Sequence, residues 1–131
     1  MKVTLELTGN IPSKKNSRIN TKSGRSFPSP AYREWHKLAS NQLMVQLCQS
    51  EEIRHGVEFP IEKCDNITVT FYYGTLRVKD NTNAVESVHD LLVDYGILKD
   101  DNWKVTGETR QIPIYRKGEP GAKIEIFIAD K

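Results

Sequence analysis

The strongest constraint on the fold is the way the hydrophobic period changes along the chain. Val3-Thr4-Leu5-Glu6-Leu7-Thr8 alternates apolar and polar residues, the pattern of a half-buried strand. Ala31, Trp35, Leu38 and Ala39 then recur at helical spacing, with Leu43 and Leu47 on the flank. Ser29-Pro30 supplies an N-cap followed by a proline suited to the first helical position, so a helix is predicted from there to about residue 49. Residues 51–63, with Gly56 and Pro60, read as a connector. The period returns to two where Ile67, Val69, Phe71 and Tyr73 alternate with Asn66, Thr68, Thr70 and Tyr72. A second helix is predicted over residues 82–95, with Val85, Val88, Leu91, Leu92 and Tyr95 as its buried stripe and Gly96 as its left-handed C-cap. A third strand follows over residues 103–115, then a turn at 117–121. A fourth strand covers residues 123–129, with Ile124, Ile126 and Ile128 on one face. The order β-α-β-α-β-β implies an α/β (α+β) domain: a mixed sheet with two main helices packed on it. At 131 residues the chain is expected to form a single domain, large enough to bury a core without disulfides or a structural metal.

Residues 9–28 break this pattern. They hold Pro12, Gly24 and Pro28 but no apolar periodicity, and a structureless stretch of that length is expected to be functional or mobile. They are also basic. Residues 1–40 carry eight Lys or Arg against two acids, a net +6, while the rest of the chain holds 11 bases and 15 acids, a net −4. Such a division suits a protein that grips phosphates with one part and holds cations with another, although solvated loops are polar too. Lys14, Lys15, Asn16, Arg18, Lys22 and Arg25 are natural phosphate contacts, which position DNA without reading its sequence.

Several function classes are not supported. No apolar run approaches the ~20 residues of a membrane span, and the N-terminus reads as a strand rather than a leader. Cys48 and Cys64 are too few and too far apart for a zinc motif or a disulfide framework; both are expected to be reduced, partly buried thiols, in keeping with the cytoplasm. There is no phosphate-binding glycine loop, nucleophile elbow or dinucleotide fingerprint, so no organic cofactor is expected.

Acidic residues gather around the second predicted helix. Asp80 precedes it, Asp100-Asp101 follows it, and Glu86 and Asp90 share one of its faces with Asp94 at the edge. The ends of a four-turn helix lie ~20 Å apart; the flanking loops could bring Asp80 and Asp101 together. Converging carboxylates are how a protein binds Mg²⁺, which takes hard oxygen ligands. The bland alternative is a solvated acidic face. Arg77 and Lys79 flank Asp80 closely enough to touch the same phosphate or to lower its pKa. His36 and His55 have no partners at ligand spacing and are expected on the surface. His89, three residues from Glu86, could be a general acid or a metal ligand. Trp35 and Trp103 are expected to be core or dimer contacts rather than base-stacking platforms.

The stretch from Asp80 to Asp101 resembles the signature of the RusA-type Holliday junction resolvases. Its usual form is Asp-x-Asp-Asn, a lysine soon after, a mid-helix Asp-x-Leu, and Asp-Asp about ten residues later. Asp80, Asn83, Asp90, Leu92, Asp100 and Asp101 fall in that register. Ile11-Pro12-Ser13-Lys14-Lys15-Asn16-Ser17 and Tyr32-x-x-Trp35 also resemble phage-borne members, so the likeness spans most of the chain. It implies a cytoplasmic, phage- or prophage-derived homodimer that binds four-way DNA junctions. The implied activity is paired, symmetric nicking that depends on Mg²⁺, with Mn²⁺ as a substitute. Asp80, Glu86 and Asp101 would be catalytic metal ligands, with Asp100 and Asp90 as further ligands or supporting acids. Lys14, Lys15, Asn16, Arg18, Lys22, Arg25, Arg77 and Lys79 would contact DNA.

The pattern departs from the family at two places. Thr82 stands where the second aspartate belongs, and the lysine expected near Ala84 or Glu86 is missing. A phage-borne subgroup resembles this chain in carrying Thr-Asn here with Glu in the next turn, which would let Glu86 replace the acid. Thr82 could also be simply an N-cap. The departure leaves a rival from another class: a junction-binding protein with weak or no nuclease activity. A second rival is a small interaction domain whose acids are only solvated.

Overall fold

A computed structural model describes residues 1–12, 18–20, 24, 26–76 and 81–128, with backbone only at 18–20, 26–28 and 81–83. In chain order its elements are β1 (Lys2–Thr8), β2 (Arg18–Asn20), β3 (Ser26–Pro28), α1 (Pro30–Gln49), α2 (Glu51–Gly56), β4 (Cys64–Tyr73), α3 (Asn81–Asp94), α4 (Trp103–Thr106), β5 (Glu108–Tyr115) and β6 (Gly121–Ile128). Four strands form one mixed sheet in the order β1-β6-β4-β5. β6 runs antiparallel to both β1 and β4, and β5 runs parallel to β4. A parallel pair needs a crossover between its strands, and α3 with the turn after it supplies one. The α+β architecture expected from the periodicity is therefore observed.

The alternation along each strand sorts its side chains between core and solvent. Val3, Leu5 and Leu7 of β1, Ile67, Val69 and Phe71 of β4, and Ala122, Ile124 and Ile126 of β6 are buried in one cluster. Ala39 and Leu43 of α1 and Val88, Leu91 and Leu92 of α3 join the same cluster. Burying each Val, Leu, Ile or Phe of this set contributes about 1.5–3 kcal/mol. The helix caps agree with the sequence: the Ser29 side chain accepts from the Tyr32 N–H at 3.2 Å with Pro30 following, and Gly96 takes φ +85° as the chain leaves α3.

Both sheet edges are protected. β1 is an outer strand, and the amides of α1 cover it: Gln46 accepts from the Glu6 N–H and donates to its C=O, both at 2.6 Å, while Gln42 accepts from the Thr8 N–H at 2.9 Å. On the other edge, the Arg116 N–H points inward to the Tyr73 C=O at 2.8 Å. Two-residue alternation then turns the Pro113 nitrogen of β5 outward, where the strand has no partner to bond.

The structure corrects five local expectations. The stretch 9–28 is not without structure, since β2 and β3 pair antiparallel within it. The connector 51–63 contains α2, whose start is capped by Ser50 accepting from the Ile53 N–H at 3.2 Å. The strand expected over 103–115 is divided: Asn102 accepts from the N–H groups of Lys104 and Val105 and opens α4, and the strand starts only at Glu108. The inward stripe of α1 is Tyr32, Ala39 and Leu43, with Leu38 left 54% exposed. Cys64 is fully buried and Cys48 is exposed.

Burial, with the charge of Asp65 adding to it, pushes the Cys64 thiol up to about 11. Its thiolate, the reactive form, is therefore scarce at neutral pH. A thiol reagent at about pH 8 should titrate one of the two cysteines in the native protein, Cys48, and both in denaturant. Two fast thiols in the native protein would show that Cys64 is open to solvent.

Candidate functional site

α3 separates two groups of polar residues. One group faces α1. There the Tyr32 hydroxyl donates to the Asp90 carboxylate at 3.0 Å, and His36 Nε2 lies 3.0 Å from Asp94 Oδ2. Burial first, then Asp90, pushes the Tyr32 hydroxyl well above the ordinary tyrosine range, so it stays a donor. One ligand atom each from His36, Asp90 and Asp94 falls within 4.8 Å of the others. These contacts join residues 58 apart in sequence, and they give His36 a partner that no local spacing revealed.

The other group lies toward β5. His89 is half-buried, with Nε2 3.3 Å from Thr109 Oγ1. Burial lowers its pKa, while the negative charges of Asp101 and Glu86 oppose that shift. Asp101, from the loop after α3, and Glu86, from the helix itself, therefore act on one imidazole. Both carboxylates are exposed. Glu86 and Asp90, expected on one face, point to different neighbours.

Asp100 has a distinct role. Its Oδ1 accepts from the Asp101 N–H at 2.7 Å and its Oδ2 from the Asn102 side chain at 3.0 Å. These bonds, the Asp101 N–H foremost, hold its carboxyl below the usual carboxylate range. Asp100 thus shapes the turn that presents Asp101. The turn is closed on its far side by Gly107, at φ +64° and ψ −146°, packed against the carbonyls of Cys64 and Asp65.

The fully buried Ser87 hydroxyl donates to the Pro12 carbonyl at 2.5 Å. Ser87 also acts on the Tyr32 hydroxyl, so the chain enters its basic segment from the Tyr32–Asp90 side of α3. The contact of Ser87 with Pro12 was not legible in the sequence, because a serine inside a helix usually bonds locally.

Asp80, Lys14, Lys15, Asn16, Lys22, Arg25, Arg77 and Lys79 lie outside the described residues, as does the side chain of Arg18. For Thr82 the backbone is informative: α3 begins at Asn81, so Thr82 is inside the first turn, one turn from Glu86, rather than the residue capping it. Ala84 is buried at 7% exposure, so a lysine there would bury its charge among apolar neighbours. Trp35 packs partly buried against the core, whereas Trp103 is 76% exposed and is not a core residue.

Because burial favours the neutral imidazole, the folded-state pKa of His89 lies below its ordinary value of 6.5. The sign of the linkage follows: the unfolded chain takes up a proton first as pH falls. The stability due to neutral His89 is complete above about pH 6.5 and is lost as pH falls toward its folded pKa. His89→Gln should flatten the fall of urea-unfolding stability as pH drops below about 6.5; an unchanged pH slope would count against a buried neutral imidazole.

Compared with known protein families and with curated proteins, the chain matches none. No helix among the described residues is long and apolar enough to cross a membrane.

Proposed function

We propose that this protein is a Mg²⁺-dependent endodeoxyribonuclease that acts as a homodimer on four-way and other branched DNA. The observation that carries the reading is that Asp100 and Asn102 hold the turn presenting an exposed Asp101, while Glu86 is exposed on α3 and the charges of both act on His89. The donor set fits the ion: two exposed carboxylates from separate elements offer hard oxygens with room for the waters that Mg²⁺ keeps. Asp101 and Glu86, with Asp80, would hold it. When bound, the ion activates water and offsets the charge that builds on a phosphodiester under attack. Asp100 fixes the loop carrying Asp101. Asp90, bonded to Tyr32, keeps α3 registered against α1. His89, held by Thr109, is kept toward its neutral form by burial, so it adds little positive charge near the two acids. Lys14, Lys15, Asn16, Arg18, Lys22, Arg25, Arg77 and Lys79 supply the phosphate contacts. A C₂ dimer would place one such site on each of two strands.

One observation favours a second reading, a junction-binding protein without nuclease activity. The first turn of α3 carries Thr82 where the resembled pattern carries an acid, and only Glu86, a turn later, offers a substitute. Strand scission of an end-labelled four-way junction separates the two. The nuclease cuts near the branch with Mg²⁺ or Mn²⁺ and not in chelator. The binding protein retards the junction, with affinity falling steeply with salt, and leaves its strands intact.

A further inference from the structure

Trp103 is the largest apolar side chain left almost free of the described structure, at 76% exposure. It is not on a loose segment. It opens α4, the Asn102 side chain caps the next two N–H groups, and the Gly107 N–H returns to the Trp103 carbonyl at 3.0 Å. Gly107 then locks the end of α4 against β4, where even a β-carbon would meet the Asp65 carbonyl at 2.4 Å. A rigid platform therefore presents the indole two residues after Asp101. Lys104 Nζ lies 5.8 Å from the ring centroid, a cation beside an aromatic face.

We propose that Trp103 is a specificity-determining residue that stacks on an unpaired or unstacked base at the branch of a DNA junction, with Lys104 on the adjoining phosphate. This rests on the nuclease reading above and names the substrate feature that reading leaves open. Duplex DNA presents no free base face to an indole, whereas a branch or a single-stranded flap does. Base–aromatic stacking is tolerant of sequence, so the residue would select structure rather than sequence. Its place next to Asp101 ties the two functions: a stacked base at the branch brings the neighbouring phosphodiester toward the acids.

The test uses the full chain, a four-way junction carrying 2-aminopurine at the branch, and a linear duplex of the same sequence, with binding read in chelator and scission in Mg²⁺. Trp103→Ala should reduce the preference for junction over duplex by about tenfold or more. It should remove the change in 2-aminopurine fluorescence on binding, and leave duplex affinity and its salt slope near the parent's. Trp103→Phe should keep most of the preference, because the π face remains, and Trp103→Leu should behave like alanine. Circular dichroism of each variant checks the fold, which this exposed position should not disturb. An unchanged preference in Trp103→Ala, or full retention by Trp103→Leu, overturns stacking while the nuclease reading stands. A variant that sediments as a monomer where the parent is a dimer assigns Trp103 to the subunit interface and also overturns it. A parent protein that neither binds nor cuts either DNA removes the nuclease reading, and this proposal with it.

Discussion

Asp101→Asn is expected to reduce Mg²⁺-dependent scission of a four-way junction by about 10²–10³-fold, the loss typical when a group that stabilises developing charge is removed. Binding should persist and could tighten, because one negative charge facing the DNA is gone. The change keeps the shape of the side chain and leaves its N–H bonded to Asp100, so a fold defect is not expected. Glu86→Gln should follow the same course, since its charge and that of Asp101 both act on His89. Quantified scission under single-turnover conditions checks both. If Glu86→Gln cleaves like the parent while Asp101→Asn does not, Glu86 is a surface acid and the site lacks its third carboxylate. Thr82→Asp then becomes informative, because residue 82 lies one turn before Glu86 on a continuous helix. A large gain from it would mark the natural sequence as an impaired nuclease and move the binding-protein reading ahead. Adding a lysine at position 84 would confuse that experiment, since Ala84 is buried.

Gly107→Ala should be the most destabilising single substitution considered. Its φ of +64° and ψ of −146° lie in a region that essentially only glycine enters. A β-carbon would also stand 2.4 Å from the Asp65 carbonyl oxygen and 2.7 Å from that of Cys64, both backbone atoms that cannot swing aside. Strain of about 1–3 kcal/mol plus this overlap predicts a loss of roughly 3 kcal/mol or more. For a domain of this size that corresponds to a fall in Tm of roughly 10 °C. Gly96 makes the control: it has φ +85° but nothing within 4 Å of an added β-carbon, so Gly96→Ala should cost only about 1–2 kcal/mol. Equal losses at the two positions, measured by thermal unfolding, would show that the packing of Gly107 on β4 is unimportant. Because Gly107 closes the turn bearing Asp100, Asp101 and Trp103, its alanine variant should also lose scission below its Tm.

What was legible in the sequence follows the strength of the periodic signal. The strands around Leu5, Val69 and Ile126 and the helix around Leu91 were readable because each has a continuous buried stripe. The start of β5 is hidden in the sequence because its residues are nearly all exposed and show no clear period that would set it apart from the helix Asn102 caps. α2 is silent in the sequence because six residues with one buried side chain, Ile53, make no repeat. The site divides in the same way. The acids of α3 were visible from composition and spacing, yet their neighbours were not. Asp90 and Asp94 meet Tyr32 and His36 across 58 residues, and Ser87 meets Pro12 across 75. A helical wheel places Glu86 and Asp90 on one face, but it cannot show that α1 packs there and brings Tyr32 to Asp90.

The most direct measurement is the fate of a supercoiled plasmid that extrudes a cruciform, incubated with the protein in Mg²⁺ and in chelator. Paired nicking by two symmetric sites yields linear plasmid whose ends map to opposite strands at equal distances from the branch, with little open circle. No product should form in chelator, with Asp101→Asn, or on a plasmid without the cruciform. Intact supercoiled DNA in Mg²⁺ and Mn²⁺, from folded protein shown in the same buffer to be bound to the junction, would contradict the account.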